Sequence, residues 1–106
     1  MGILDIFKKA DMNQAVETCR NTPGAVLIDV RSPAEFAGGH IPGSINLPIQ
    51  ALQRAEDQLG DPDAPIYVYC QSGARSSRAA KLLEVMGYSR VTDLGGIGGY
   101  SGQLEK

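Results

Sequence analysis

The chain has 106 residues, a formal net charge of -2 and 42% hydrophobic residues. That length fits one domain, 1–106, and buries roughly 65% of the unfolded surface, so no covalent staple is needed. A pI of about 5.2 argues against a general nucleic-acid binder. One histidine, His40, and two cysteines, Cys19 and Cys70, cannot build a four-ligand zinc site or a disulfide framework.

Residues 1–10, MGILDIFKKA, form a lead segment. Its apolar part is too short for a signal-peptide core, and Asp5 interrupts it. Ile6 stands where a myristoylation signal needs Ser or Thr. Ile3, Leu4, Ile6 and Phe7 ahead of Lys8 and Lys9 leave open a weak membrane-surface anchor. The reading adopted is an edge strand or docked segment that covers the core. No apolar run is long enough to span a membrane, and a reducing cytoplasm is the expected location.

Asp11 reads as an N-cap, with Gln14 completing a capping box. Met12, Ala15, Val16 and Cys19 then fall on one helical stripe, and Asn21-Thr22-Pro23-Gly24 ends the helix. Val26 to Val30 is a nearly continuous apolar run, as in a strand buried on both faces. Ser32-Pro33 opens a short helix that Gly38-Gly39 closes. Ile45-Asn46-Leu47 reads as a short strand. Leu52, Ala55 and Leu59 mark another helix, and Ile66 to Tyr69 a third strand running into Cys70. Helix resumes at Ser76, with Ala79, Leu82, Leu83 and Met86 expected on its buried face. Arg90 to Leu94 is the last strand, before Gly95-Gly96-Ile97-Gly98-Gly99. Strands alternating with helices predict an α/β protein with a mostly parallel sheet.

The segment that carries chemistry is Cys70-Gln71-Ser72-Gly73-Ala74-Arg75-Ser76, between a strand end and a helix start. Ligands of open α/β sheets bind at strand carboxyl ends. A helix N-terminus there presents unpaired N–H groups and a positive dipole end. A loop of small residues lets successive amides converge into an anion nest, and Gly73 permits the turn. Arg75, Arg78 and Lys81 against Glu84 give residues 70–88 a local charge of +2. In that setting Cys70 is expected to be a thiolate nucleophile that needs no histidine base. Cys19, on the apolar face of a helix, is read as structural, with a resolving role toward Cys70 left open.

Two thiolate chemistries compete for such a loop. A Cys-x5-Arg loop suits phosphoryl transfer, whereas here only four residues separate Cys70 from Arg75. The shorter loop suits a single terminal sulfur held as a persulfide. Asp29 interrupts an apolar strand and requires a partner. Arg31 and Glu35 are expected to pair across a short turn. These three read either as orienting the rim of the site or as a structural ion-pair network, and the network is preferred. His40 is read as holding a turn rather than as a catalytic base. Gly96-Ile97-Gly98-Gly99 lacks the lysine of a phosphate-binding loop.

Four segments together carry a resemblance. They are Leu27-Ile28-Asp29-Val30-Arg31-Ser32-Pro33-Ala34-Glu35-Phe36, Gly39-His40-Ile41-Pro42-Gly43-Ser44-Ile45-Asn46-Leu47-Pro48, Tyr69 through Ser76, and Leu94-Gly95-Gly96. In this order they resemble a single-domain rhodanese, a sulfurtransferase, over nearly the whole chain from about Asp11. The resemblance implies a five-stranded parallel sheet with helices on both faces. It implies that Cys70 carries the transferred sulfur, that residues Gln71 to Ser76 cradle the anion, and that Arg75 meets an anionic donor. The implied substrates are thiosulfate or a related donor, and a cyanide, thiol or protein acceptor. The implied reaction needs no metal or organic cofactor. A persulfide carrier or regulatory binding module, and a cysteine-dependent phosphatase, are the alternatives. The chain departs from the family at Tyr100, where a Trp is usual, and at Gly98 and Gly99, which weaken a helical context.

Overall fold

Four apolar runs become strands, and each is parallel to its neighbours. In the computed structural model, which describes residues 12–106, they are β1 (Val26–Asp29), β2 (Ile45–Asn46), β3 (Ile66–Cys70) and β4 (Val91–Gly96), in the order β2-β1-β3-β4. The expectation of five strands is corrected to four among the described residues. These four segments are the only strand-forming runs there. The lead segment 1–10, which left room for an edge strand, and the expected N-cap Asp11 lie outside the described residues.

The period of two along β1 and β3 sends alternate side chains to opposite faces. Ile28, Val30, Ile66, Val68 and Cys70 enter one core cluster, with Leu52, Ala55, Ala79 and Leu83. Leu27 and Tyr69 enter the other, with Met12, Val16, Cys19, Ile41 and Ile97. The first face is covered by a 3-10 turn (Ile49–Arg54) running into α3 (Ala55–Leu59) and by α4 (Ala74–Val85). The second is covered by α1 (Met12–Asn21), whose Met12, Val16 and Cys19 are buried as their spacing predicts. Helices on both faces are therefore present.

Helix α2 (Pro33–Ala37) follows β1 closely. Its Ser32 N-cap and Glu35 form a reciprocal capping box, with Glu35 N donating to Ser32 Oγ at 3.2 Å and Ser32 N to Glu35 Oε1 at 2.9 Å. Helix α4 begins two residues earlier than its pattern suggests, because Gly73 serves as its N-cap with φ of 100°. Leu82 departs from the expected buried face and is 38% exposed. Ser76, Ala79 and Leu83 form the buried stripe instead, and Leu82 falls at its edge.

The chain order reverses between β1 and β3, where an open parallel sheet leaves a crevice at its carboxyl ends. Asp29 stands beside Tyr69 in register, so the residues after β1 and after β3 meet there. Asp29 and Arg31 are buried at 0% and 4% exposure. Arg31 Nη2 donates to Asp29 Oδ2 at 2.7 Å, and Arg31 Nε and backbone N both donate to Asp29 Oδ1. The guanidinium also donates to Gly39 O at 2.7 Å and to Gln71 Oε1 at 3.0 Å. One buried pair therefore joins the end of β1, the turn before His40 and the loop after β3. Removing one member of a buried ion pair strands the other charge in a poor dielectric. Asp29→Ala is expected to cost about 3–5 kcal/mol of stability, read from the midpoint of chemical denaturation.

Candidate active site

The loop after β3 wraps around a sulfur atom. Cys70 exposes none of its surface. Gly73 N donates to Cys70 Sγ at 2.9 Å, and Ser76 Oγ lies 3.6 Å from the same sulfur. The Ser76 hydroxyl, also fully buried, donates to Gly73 O at 3.1 Å and so ties the first turn of α4 to the loop. Burial alone raises the Cys70 pKa. Hydrogen bonds from the Ser76 side chain and from the backbone of Ser76, Gly73 and Ser72 outweigh it, and the thiol lies below its ordinary value. Cys19 is the opposite case. Burial pushes its thiol up, against a smaller effect of Arg20.

What lets the loop turn so tightly lies on β4. An extra residue between the partners of Val68 and Tyr69 shifts the register, so that Tyr69 faces Gly95 and Cys70 faces Gly96. Gly95 takes a φ of +83°, and its N–H donates to Asp93 Oδ1 at 2.9 Å. A Cβ at Gly96 would stand 2.6 Å from Gln71 O and 3.1 Å from Ser72 Cα. The loop thus packs directly on bare backbone. Gly96 is a site residue that the sequence reading placed in a glycine-rich run and a family segment without assigning it to the site. The doubled glycine after a strand is the signal that points to it.

The charged residues are sorted differently from expectation. The expected Arg31–Glu35 pair does not form. Arg31 belongs to Asp29, and Arg75 Nη1 and Nη2 donate to Glu35 Oε1 and Oε2 at 2.7 and 2.9 Å. Glu35 and Arg75 lie 40 residues apart, beyond any local pattern. Arg75, expected to meet an anionic donor, spends its guanidinium on Glu35. The Arg75 hydrogen bond and the Ser32 backbone hold the Glu35 carboxyl down at about 2. Gln71 and Ser72 are exposed at the loop's outer side, and Ala74 opens α4. His40 holds a turn, as expected. Its ring stacks on Phe36 at 3.7 Å and its Nδ1 lies 2.9 Å from Phe36 O. Its backbone pairs with Glu105 in an antiparallel bridge.

Beside the loop runs a groove of about 860 Å³, bordered by Met12, Gln71, Ser72, Leu94 and the glycines 95, 96, 98 and 99. Tyr100 joins the neighbouring core cluster through partial burial.

A buried thiol at the carboxyl end of a central parallel strand, with a short loop leading from it into a helix, defines the class of α/β protein. The Rhodanese-like domain family matches residues 11–103, and the chain belongs to that family. An uncharacterized protein of Bacillus subtilis, YqhL, is 42% identical over 82 residues, covering 76% of this chain and 64% of that protein's length. The thiosulfate sulfurtransferase GlpE of Ectopseudomonas mendocina is 41% identical over 90 residues, covering 85% of this chain and 80% of its own. Among solved structures, a rhodanese with anions from E. coli superposes with a TM-score of 0.73 at 31% identity, covering 77% of this chain and 98% of that one.

Two substitutions probe this geometry. Ser76→Ala removes the largest contribution that lowers the Cys70 pKa. Alkylation of Cys70 at neutral pH should slow about threefold to tenfold, with the midpoint of its pH profile moving up. Gly96→Ala should cost about 1–3 kcal/mol by overpacking and relax the loop. Gly98→Ala, whose Cβ meets nothing within 4 Å, should stay within about 0.5 kcal/mol. Equal losses at Gly96 and Gly98 in thermal melts would contradict the packing described.

Proposed function

We propose that this protein is a sulfurtransferase that passes a sulfane sulfur through a persulfide on Cys70. Relatives named as sulfurtransferases support sulfur transfer in general. The observation that carries the finer reading is the Gly73 amide donating to the fully buried Cys70 Sγ at 2.9 Å. A sulfur so placed is a better anion than an ordinary thiol, and therefore a nucleophile at neutral pH.

With thiosulfate as donor, the Cys70 thiolate attacks the outer sulfur and forms an S–S bond. The original S–S bond breaks, and its electron pair leaves with sulfite. The product is an anionic persulfide, Cys70–S–S⁻. A nucleophilic acceptor, cyanide or a thiolate, then bonds to the outer sulfur and returns Cys70 as thiolate. Charge and sulfur balance in both halves, and no electron acceptor is required. The cradle of residues Gln71 to Ser76 holds the persulfide anion by its amides, while Asp29, Arg31 and Glu35 keep the rim in place. Because Cys70 exposes no surface, the donor reaches it through a local opening of the loop. A single outer sulfur needs less opening than a phosphoryl group does. The groove beside Gln71 and Ser72 leaves room for an acceptor larger than cyanide, including a thiol on another protein.

We read residues 1–106 as one domain working in the cytoplasm. No helix among the described residues is long and apolar enough to cross a membrane.

Incubation with thiosulfate followed by mass spectrometry tests the reading. One added sulfur is expected on Cys70, absent in Cys70→Ala and retained in Cys19→Ala. No adduct on Cys70, or an equal adduct on the Cys70→Ala protein, would sink it.

A further inference from the structure

Among the described residues, two ion pairs stand at the Cys70 loop. The Arg31 charge is balanced by Asp29 in the buried network. The Arg75 charge is balanced by Glu35 in a two-point contact at 2.7 and 2.9 Å. A planar guanidinium matched to both carboxylate oxygens has its strongest donors committed. Glu35 is itself held from behind, because its Oε1 also accepts the Ser32 N–H that starts α2. Both members of the Arg75–Glu35 pair keep 32% of their side-chain surface exposed. Arg75 is near enough to the sulfur for the Cys70 charge to help raise its pKa, after the larger effect of Glu35. The guanidinium thus extends from the first turn of α4, directly after the loop, partly exposed and already neutralised.

Among the described residues, the donors aimed at the sulfur itself are uncharged backbone N–H groups. They serve one negative sulfur well. They offer little to a second negative charge a bond length further out, which must give up water without gaining a cation. Thiosulfate carries that second charge, and an organic persulfide does not.

We propose that Glu35 sets donor specificity by holding Arg75 away from the donor, so that the site favours organic persulfides over dianionic thiosulfate. The proposal rests on the sulfur-transfer reading above. Glu35 acts here as a positioning residue, through Arg75. Releasing Arg75 should turn the site toward thiosulfate.

Steady-state kinetics with cyanide as acceptor test this, using thiosulfate and cysteine persulfide as alternative donors. Gln at position 35 keeps the shape and the acceptor for Ser32 N–H but loses the charge. Glu35→Gln is expected to lower the KM for thiosulfate about fivefold, the scale of one partly exposed ion pair. The KM for the persulfide should move less than that for thiosulfate, so the ratio of the two KM values is the readout. The gain should vanish in the double variant Glu35→Gln/Arg75→Gln, and should shrink at high salt, which screens an exposed guanidinium. The unmutated protein gives a test that needs no variant. Its KM for thiosulfate should hold steady between about 0.02 and about 0.5 M salt beyond what the donor's own activity explains. A KM that rises several-fold across that range would reveal a cation already on the donor and overturn the proposal. So would a Glu35→Gln protein, folded by its thermal melt, whose thiosulfate KM is unchanged or higher. Failure of either donor to load Cys70 with sulfur would overturn the sulfur-transfer reading and this inference with it. Normal loading with an unmoved KM overturns this inference alone.

Discussion

The site depends on a stretch of bare backbone. Gln71, Ser72 and Gly73 can curl around the Cys70 sulfur only because Gly96 presents no side chain on their outer side. A methyl group there would stand 2.6 Å from the Gln71 carbonyl. The extra residue in β4, with Gly95 at positive φ, brings Gly96 rather than Gly95 opposite Cys70. A shift of one residue in register thus decides whether the loop closes around the sulfur. Once it closes, Gly73 can cap α4, and Ser76 falls on the first turn facing Cys70. Amides placed by a glycine turn need no side-chain ordering, although fixing a glycine costs more backbone entropy than fixing any other residue.

Charge has a different task in this molecule. The two ion pairs near the site connect segments that are distant in sequence. Asp29 and Arg31 link the end of β1 to Gly39 and Gln71, and Glu35 and Arg75 link α2 to α4. The local charge of +2 seen in residues 70–88 therefore overstates how cationic the site is. On the proposed reading its anion affinity comes from oriented N–H groups, as in other nests of successive amides. On the proposed reading, this division lets one cysteine work without a catalytic histidine. His40 is occupied with Phe36 and Glu105.

Much of the fold was legible because its signals are local. Val26–Asp29 and Ile66–Cys70 read as strands since strands buried on both faces are continuous apolar runs. The Met12, Val16, Cys19 stripe and the helix start at Ser32-Pro33 were equally plain, whereas the reciprocal capping of Ser32 and Glu35 emerged only in the structure. The loop around Cys70 was legible from small residues at a strand end. What could not be read depends on contacts between distant segments. The partner of Arg31 is Asp29 and that of Glu35 is Arg75, whereas proximity in sequence suggested Arg31 with Glu35. The register shift at Leu94 leaves no local mark beyond the double glycine that follows it. Leu82 looked buried because helical spacing places it near Leu83 and Met86, yet the sheet covers a narrower stripe than the pattern allows. The fifth strand was expected from resemblance and not from any run within residues 12–106.

The central claim is that uncharged donors stabilise the Cys70 thiolate. The most direct measurement is the pH profile of Cys70 alkylation in a Cys19→Ala background, at low and at high salt. Amides and a hydroxyl in a covered site are hardly screened, whereas exposed cations are. A midpoint below the ordinary thiol value, and unmoved by salt, is the predicted result. A midpoint at the ordinary thiol value, or one that climbs to it as salt is added, would contradict the claim.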